Sequence, residues 1–234
     1  MKHSKKLQVV IVLGPPGSGK GTQAELLAAR LNLFHLETSK IIEANLSNIK
    51  KGDFVKVEGR KYLLTDERKL RHSGALMSPP LIDFWVQSKI KELRREGKGA
   101  ALSGSPRTSY EGERLVPVLK KLYGVKNVSV ILLKLSARET IWRNSHRKTC
   151  ELLRHSILFT KETKNLKKCP FDGSKLLTRK DDNPAIIKNR IAEYEERTIP
   201  LVSLFKEHGL KVKMVNGEQS VANVFKSVLR KLKN

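Results

Sequence analysis

An α/β fold with a doubly wound, five-stranded parallel sheet is what this 234-residue sequence predicts. Three observations carry that expectation. Short apolar runs alternate with segments of helical periodicity, the rhythm of repeated strand–helix–strand units. The first run leads directly into a glycine-rich stretch, "GPPGSGKGTQ" at 14–23. Two polar stretches break the rhythm and have no periodicity of a buried face, so they read as lobes inserted into the sheet domain. In such a fold, ligands sit beyond the carboxyl ends of the strands.

The elements follow in chain order. The first strand is expected at 8–13 (QVVIVL) and a helix at 19–31. A short strand at 34–36 (FHL) precedes a helix at 38–48. In the helix expected at 81–96, Ile82, Val86, Ile90 and Leu93 line one buried face. A strand at 100–103 (AALS) and a helix at 110–123 come next, then a strand at 128–135 (VSVILLKL) and a helix at 136–147. A long helix at 184–208, a strand at 210–215 and a helix at 218–232 complete the set. The last helix has the clearest stripe, because Val221, Val224, Phe225, Val228, Leu229 and Leu232 recur at helical spacing. Residues 49–80 and 148–180 are the two interruptions. The resulting division is a core of 1–37, 81–147 and 181–234, a lobe at 38–80 and a second lobe at 148–180.

Composition narrows the class. Hydrophobic residues make up 39% of the chain, enough for one sizeable core. Forty-seven basic residues against 23 acidic ones give a net charge of +24, a field that attracts polyanions. The lysines are scattered, so a solvated basic surface explains most of the excess. Aromatic residues are only 6%, without the basic–aromatic interleaving of base-stacking surfaces, so nucleic acid is suggested by net charge alone. Two cysteines cannot build a disulfide framework. The basic start and apolar run imitate a signal peptide, but the run ends in the glycine-rich loop and not at a cleavage site. No run approaches the roughly 20 apolar residues that span a bilayer. A soluble, cytoplasmic protein with no membrane partner is the expectation.

"GPPGSGKGTQ" has the properties of a phosphate-binding loop. Gly14, Gly17 and Gly19 admit positive φ, so several N–H groups can point at one anion. The helix beginning near Lys20 adds its positive dipole end, and Lys20 adds a mobile charge. The usual spelling places a hydroxyl directly after the lysine to hold Mg²⁺. Here Gly21 stands there, and the hydroxyl follows at Thr22.

That spelling resembles the loop of the adenylate kinase family of nucleoside monophosphate kinases, G-x-P-G-x-G-K-G-T. "SGSPRT" at 103–108 is similar to the family's D-G-F-P-R-T, and "TIWRNSHR" from Thr140 to the two arginines that open its lid. "TRKDDNPAIIKNRIAEYEERTIPLV" from Thr178 and "VNGEQSVANVF" from Val215 resemble its later segments. The matches run in order from residue 7 to residue 232. The resemblance implies a P-loop nucleoside triphosphate hydrolase fold whose two inserted lobes are mobile, one binding the monophosphate and one closing as a lid. It also implies reversible phosphoryl transfer from ATP·Mg²⁺ to a nucleoside monophosphate, with AMP the expected acceptor, and a monomer as the default.

The resemblance also implies roles. Pro15, Pro16, Ser18, Gly21 and Thr22 belong to the loop whose amides, with Lys20, hold the donor phosphates. Arg147, Arg179 and Arg190 match arginines that converge on the transferring phosphate, and Arg143 matches one that stacks on the donor base. Asp181 and Asp182 match carboxylates that pair with these arginines. Thr38 and Arg107 match contacts to the monophosphate. The acceptor half departs from the pattern. Glu43 stands where the family has an arginine, Glu111 where it has a glutamine reading the base, and Ser103 where it has an aspartate orienting Mg²⁺-bound water. Lys40 is a substitute for the missing arginine, unless Glu43 simply faces solvent.

Some family members carry zinc in the lid on C-x2-C and C-x2-[CD]. Cys150, Cys169 and Asp172 occupy three such positions, Leu153 takes the place of the second cysteine, and His155 or His146 could complete four ligands. The pattern is weak, and a lid without zinc is preferred, so no metal ligand is assigned. Two alternatives stand beside the main reading: a kinase for a different monophosphate, and a nucleotide-binding protein of impaired turnover that contacts RNA or protein.

Overall fold

The computed structural model describes residues 7–73, 75–153, 155–178 and 182–233. Its first unit is strand β1 (Val9–Leu13), the loop, and helix α1 (Lys20–Leu31), followed by β2 (Phe34–Glu37) and α2 (Thr38–Leu46). A hairpin of β3 (Phe54–Val57) and β4 (Arg60–Leu63) leads into α3 (Leu64–Ser73). The chain continues through α4 (Pro79–Arg95), β5 (Ala100–Ser103), α5 (Ser109–Tyr123), β6 (Val128–Lys134) and α6 (Ala137–His146). Strands β7 (Lys148–Cys150), β8 (Ser156–Ile157) and β9 (Leu176–Leu177) form a small separate sheet. After it come α7 (Pro184–Glu193), a π-helical turn at Tyr194–Thr198, α8 (Leu201–Glu207), β10 (Val212–Asn216) and α9 (Val221–Lys233).

The central sheet has the order β10-β6-β1-β5-β2 and is parallel throughout. All five residues of β1 are buried, as a strand covered on both faces must be. Alternation sends Val9, Ile11 and Leu13 to a core completed by Val86 and Ile90 of α4, Leu115 of α5 and Phe205 of α8. Val10 and Val12 point the other way, against Leu27 of α1 and Val224 and Val228 of α9. The α/β expectation and its five strands are therefore met. Each strand begins and ends within two residues of the expected limits.

The expected single helix at 184–208 is three pieces. Tyr194–Thr198 widens into a π turn, and α8 starts after Pro200, whose ring removes a backbone donor. The first interruption contains more structure than its polarity suggests. Val57, Tyr62 and Leu64 are buried in the main core. Glu58 and Gly59 both have positive φ, a pair of conformations that turns a two-residue hairpin. Glu58 accepts from Arg114 of α5, and Arg114 also reaches Asp83 of α4 at 3.1 Å, which ties the hairpin to the helices. No described helix is long and apolar enough to cross a membrane.

Candidate active site

The loop closes on itself between β1 and α1. Ser18 N donates to the Pro15 carbonyl at 3.1 Å, and Lys20 Nζ donates to the same oxygen at 3.2 Å. Gly17 (φ 78°) and Gly19 (φ 81°) are in the left-handed region. A Cβ on Gly17 would lie 2.6 Å from Asn144 Nδ2 and 3.4 Å from Arg143 Cβ, so α6 rests directly on the loop. Gly14, beside buried Ser18, leaves no room either: a Cβ there would lie 2.5 Å from Ser18 Oγ. Pro16 completes the turn, Gly21 sits in the first turn of α1, and Thr22 is exposed.

Arg143 lies in the last turn of α6, and Arg147 follows one turn later as the extended residue that ends the helix. Arg143 Nε donates to Glu139 Oε1 at 2.7 Å. Arg147 makes a two-point contact with Asp182, through Nε to Oδ2 at 2.8 Å and a terminal nitrogen to Oδ1 at 2.6 Å. Arg190 of α7 approaches the same Oδ1 at 3.6 Å. The Asp182 side chain has 0% exposure, so one buried carboxylate gathers two of the expected arginines. Such forked contacts hold a guanidinium in one plane as well as one place. Arg179 and Asp181 lie outside the described residues.

On the far side, Thr38 begins α2 and Arg107 follows β5. A Cβ on Gly104 would lie 3.2 Å from an Arg107 terminal nitrogen and 3.3 Å from Thr38 Oγ1, which brings these three residues to one spot. Thr38 is 2% exposed and its hydroxyl has no hydrogen-bond partner among the described residues; buried Ser18 Oγ is in the same condition. Burial pushes the Arg107 guanidinium down from its ordinary value, Glu111 opposes this and Arg71 of α3 adds to it.

The three departures resolve differently. Glu43 is exposed on α2, and Lys40 is drawn to Glu37 at 3.6 Å. Glu111 is 4% exposed and works as a cap for its own helix. It accepts from Arg107 N at 3.1 Å and from Thr108 Oγ1 at 3.3 Å, while Thr108 Oγ1 accepts from Glu111 N at 3.2 Å. Burial pushes its carboxyl up to about 7. Ser103 lies 3.0 Å from His35 Nε2. Burial lowers the His35 imidazole, which is therefore neutral at pH 7.

Several contributing residues escape a reading of the sequence. Asn144 is fully buried under Gly17, and Thr198 in the π turn donates to the Arg107 carbonyl at 2.8 Å. Asn144 donates to the Thr140 carbonyl one turn back at 2.7 Å, so an asparagine inside a helix is the only local signal for the first. The fold alone brings Thr198 to Arg107.

In the β7–β9 sheet, Cys150, His155, Cys169 and Asp172 offer ligand atoms that all lie within 4.8 Å of one another. Cys150 Sγ is 2.8 Å from Asp172 Oδ2, and Cys169 Sγ is 3.1 Å from His155 Nε2. His146 is elsewhere, stacked on Trp142. Hydrogen bonds from Cys150 and Ser174 hold the Asp172 carboxyl well below the usual carboxylate range.

Comparison with known proteins agrees with this geometry. The family described as Adenylate kinase matches residues 12–210. An adenylate kinase of Clostridium botulinum (strain Loch Maree / Type A3) is 30% identical over 220 residues, 94% of this chain and 95% of that protein. One from Methanocella arvoryzae is 31% identical over 233 residues, covering 95% and 98%. One from Kosmotoga olearia is 30% identical over 227 residues, covering 96% and 99%. The family match takes in the loop, the turn after β5 and the arginines of α6 and α7 in a single collinear run, and the chain belongs to the adenylate kinase family of nucleoside monophosphate kinases.

Proposed function

We propose that this kinase moves the γ-phosphoryl group of ATP to AMP, reversibly, giving two ADP. The observation that carries the reading is the pairing of two cationic sets around one loop. Arg147 and Arg190 share buried Asp182 on one side, and Arg107 stands with Thr38 on the other. Phosphoryl transfer passes through a loose, highly charged transition state, so positioned cations do most of the work. Lys20 and the loop amides hold the donor phosphates, and Arg143 stacks on the donor base. Arg107 and the Thr38 hydroxyl hold the acceptor phosphate. Residues 38–80 and 148–180 act as moving lobes, and closing the second excludes water that would compete as acceptor.

Mg²⁺ bound with ATP neutralises charge across the phosphates. The residues present fit an ion held mostly by nucleotide and water: the hydroxyl of Ser103 is partnered by His35 and brings no charge. Arg179, by the family pattern, joins the lid arginines. Cytoplasmic location and a monomeric state are part of the same reading.

A second acceptor is favoured by one observation. The Glu111 carboxylate is occupied by the cap of its own helix, so it offers no amide donor to a base. The test is to supply AMP, GMP, CMP and UMP in turn with ATP and Mg²⁺, with Lys20→Ala as control. Product with AMP alone supports the main reading, and product with another monophosphate supports the second. Equal background in parent and Lys20→Ala, with ATP still bound, would sink both.

Zinc in the lid is the better reading now that four donors meet. Two thiolates, an imidazole and a carboxylate suit a tetrahedral structural ion, and Cys150 and Cys169 are already buried together. The ion would join the two knuckles of the β7–β9 sheet and take no part in transfer. Protein purified without chelator should hold close to one equivalent by elemental analysis. Less than about a tenth would remove zinc from the reading.

A further inference from the structure

The sheet has one edge that is both open and charged. Strand β10 pairs with β6 on one side, and no described strand pairs with the other. Among the described residues, Val212, Lys213, Met214 and Val215 make no backbone hydrogen bond outside that ladder. A groove of about 560 Å³ runs along this edge, at the amino end of the strand. Lys206 of α8, Lys211, Lys213 and Lys231 of α9 line it, and no acidic residue does. The two helices flank the edge from opposite faces of the sheet, so the positive charge surrounds it. Val212 and Met214 share one face of the strand, and Met214 is 46% exposed.

We propose that this edge is a docking site for an acidic, extended segment of a partner protein, added to the sheet as a sixth strand. Two independent features point to one occupant. Four lysines without an acid call for an anion. A free ladder of N–H and C=O groups calls for an extended peptide backbone, which a nucleic acid does not supply. The apolar pair Val212 and Met214 takes alternate side chains of the added strand. The site is remote from the chemistry, because the phosphate loop adjoins the opposite, carboxyl end of β10. There, a Cβ on Gly217 would lie 3.7 Å from the Ser18 carbonyl.

The test uses the full chain and a fluorescein-labelled peptide of about ten residues alternating glutamate and valine. Its controls are the same peptide N-methylated at alternate backbone nitrogens, and a labelled oligouridylate. Anisotropy at about 50 mM salt should show the plain peptide binding at least tenfold tighter than the N-methylated one, and weakening as salt rises. The combined exposed-residue variant Lys206→Glu, Lys211→Glu, Lys231→Glu should lose at least about tenfold in that affinity. Its kinase turnover should equal the parent's, which also shows that it is folded. A failure of AMP phosphorylation in the parent leaves this result standing, since binding is read without substrates. Equal affinity for plain and N-methylated peptides would overturn the proposal, because charge alone would then be responsible. Tighter binding of oligouridylate would make the edge a nucleic-acid face. Absence of binding to either would leave the lysines as guards against edge-to-edge aggregation.

Discussion

Replacing Asp182 by asparagine isolates the contact on which the donor side is built. The carboxylate accepts two charged hydrogen bonds from Arg147, at 2.8 and 2.6 Å, and faces Arg190 at 3.6 Å. Each charged hydrogen bond contributes roughly 1.5–3 kcal/mol, so the pair is worth at most about 6. The Arg147 and Arg190 side chains are 17% and 23% exposed, so water recovers part of the loss, and the amide oxygen keeps one acceptor. About 2–3 kcal/mol of net destabilisation remains, a large share of a typical total of about 5–15. For a chain of this length that lowers the thermal midpoint by roughly 4–12 °C. Turnover should fall by about 10–100-fold, since both guanidiniums lose the group that orients them. Urea denaturation and initial rates of diphosphate formation read the two effects. Stability within about 0.5 kcal/mol of the parent, together with unchanged turnover, would refute the assignment of Asp182 as the organiser of these arginines.

Three further outcomes are expected. Glu111 has a folded value near 7 against an ordinary 4.5, so the folded state holds its proton more tightly. Stability should fall as pH rises from about 4.5 to about 7 and then level off, and Glu111→Gln should remove most of that slope, worth about 1–3 kcal/mol at pH 8. Parallel slopes in urea titrations of the two proteins would contradict the burial argument. Gly17→Ala combines a left-handed backbone with a Cβ 2.6 Å from Asn144 Nδ2. It should weaken ATP binding by at least about tenfold in calorimetry, while Gly52→Ala, positive in φ but with nothing near its Cβ, should leave ATP affinity unchanged. Cys169→Ser should abolish zinc retention and lower the thermal midpoint of a metal-replete preparation by several degrees. An unchanged midpoint with zinc still bound would exclude Cys169 as a ligand.

The legible parts of this fold are those whose signal is local. β1 is a run of β-branched and leucine residues with a glycine loop behind it, and α9 repeats apolar residues at helical spacing, so each declares its own geometry. The hairpin at Phe54–Leu63 is short, and its exposed residues mix Lys56 and Lys61 with Phe54 and Leu63. Val57 and Tyr62 are buried and Val55 packs in part against the core, too few residues for a pattern to stand out. The departures at 43 and 111 were readable as changes of residue type but not of consequence. Glu43 is turned to solvent by α2, and Glu111 is taken up by the helix cap because Thr108 and the Arg107 amide are within reach.

The sequence by itself determined the sheet, the glycine-rich loop and the family, because strand runs, helical stripes and loop glycines act through neighbours in the chain. The resemblance already set Asp182 beside the lid arginines, and only the tertiary structure decided how they meet: Arg147 in a two-point contact and Arg190 on one of the same oxygens. Arg147 and Asp182 are separated by 35 residues, Cys150 and Asp172 by 22, and Thr198 and Arg107 by 91. Contacts of that range arise when separate elements pack, and a buried carboxylate takes whichever guanidinium the packing brings to it.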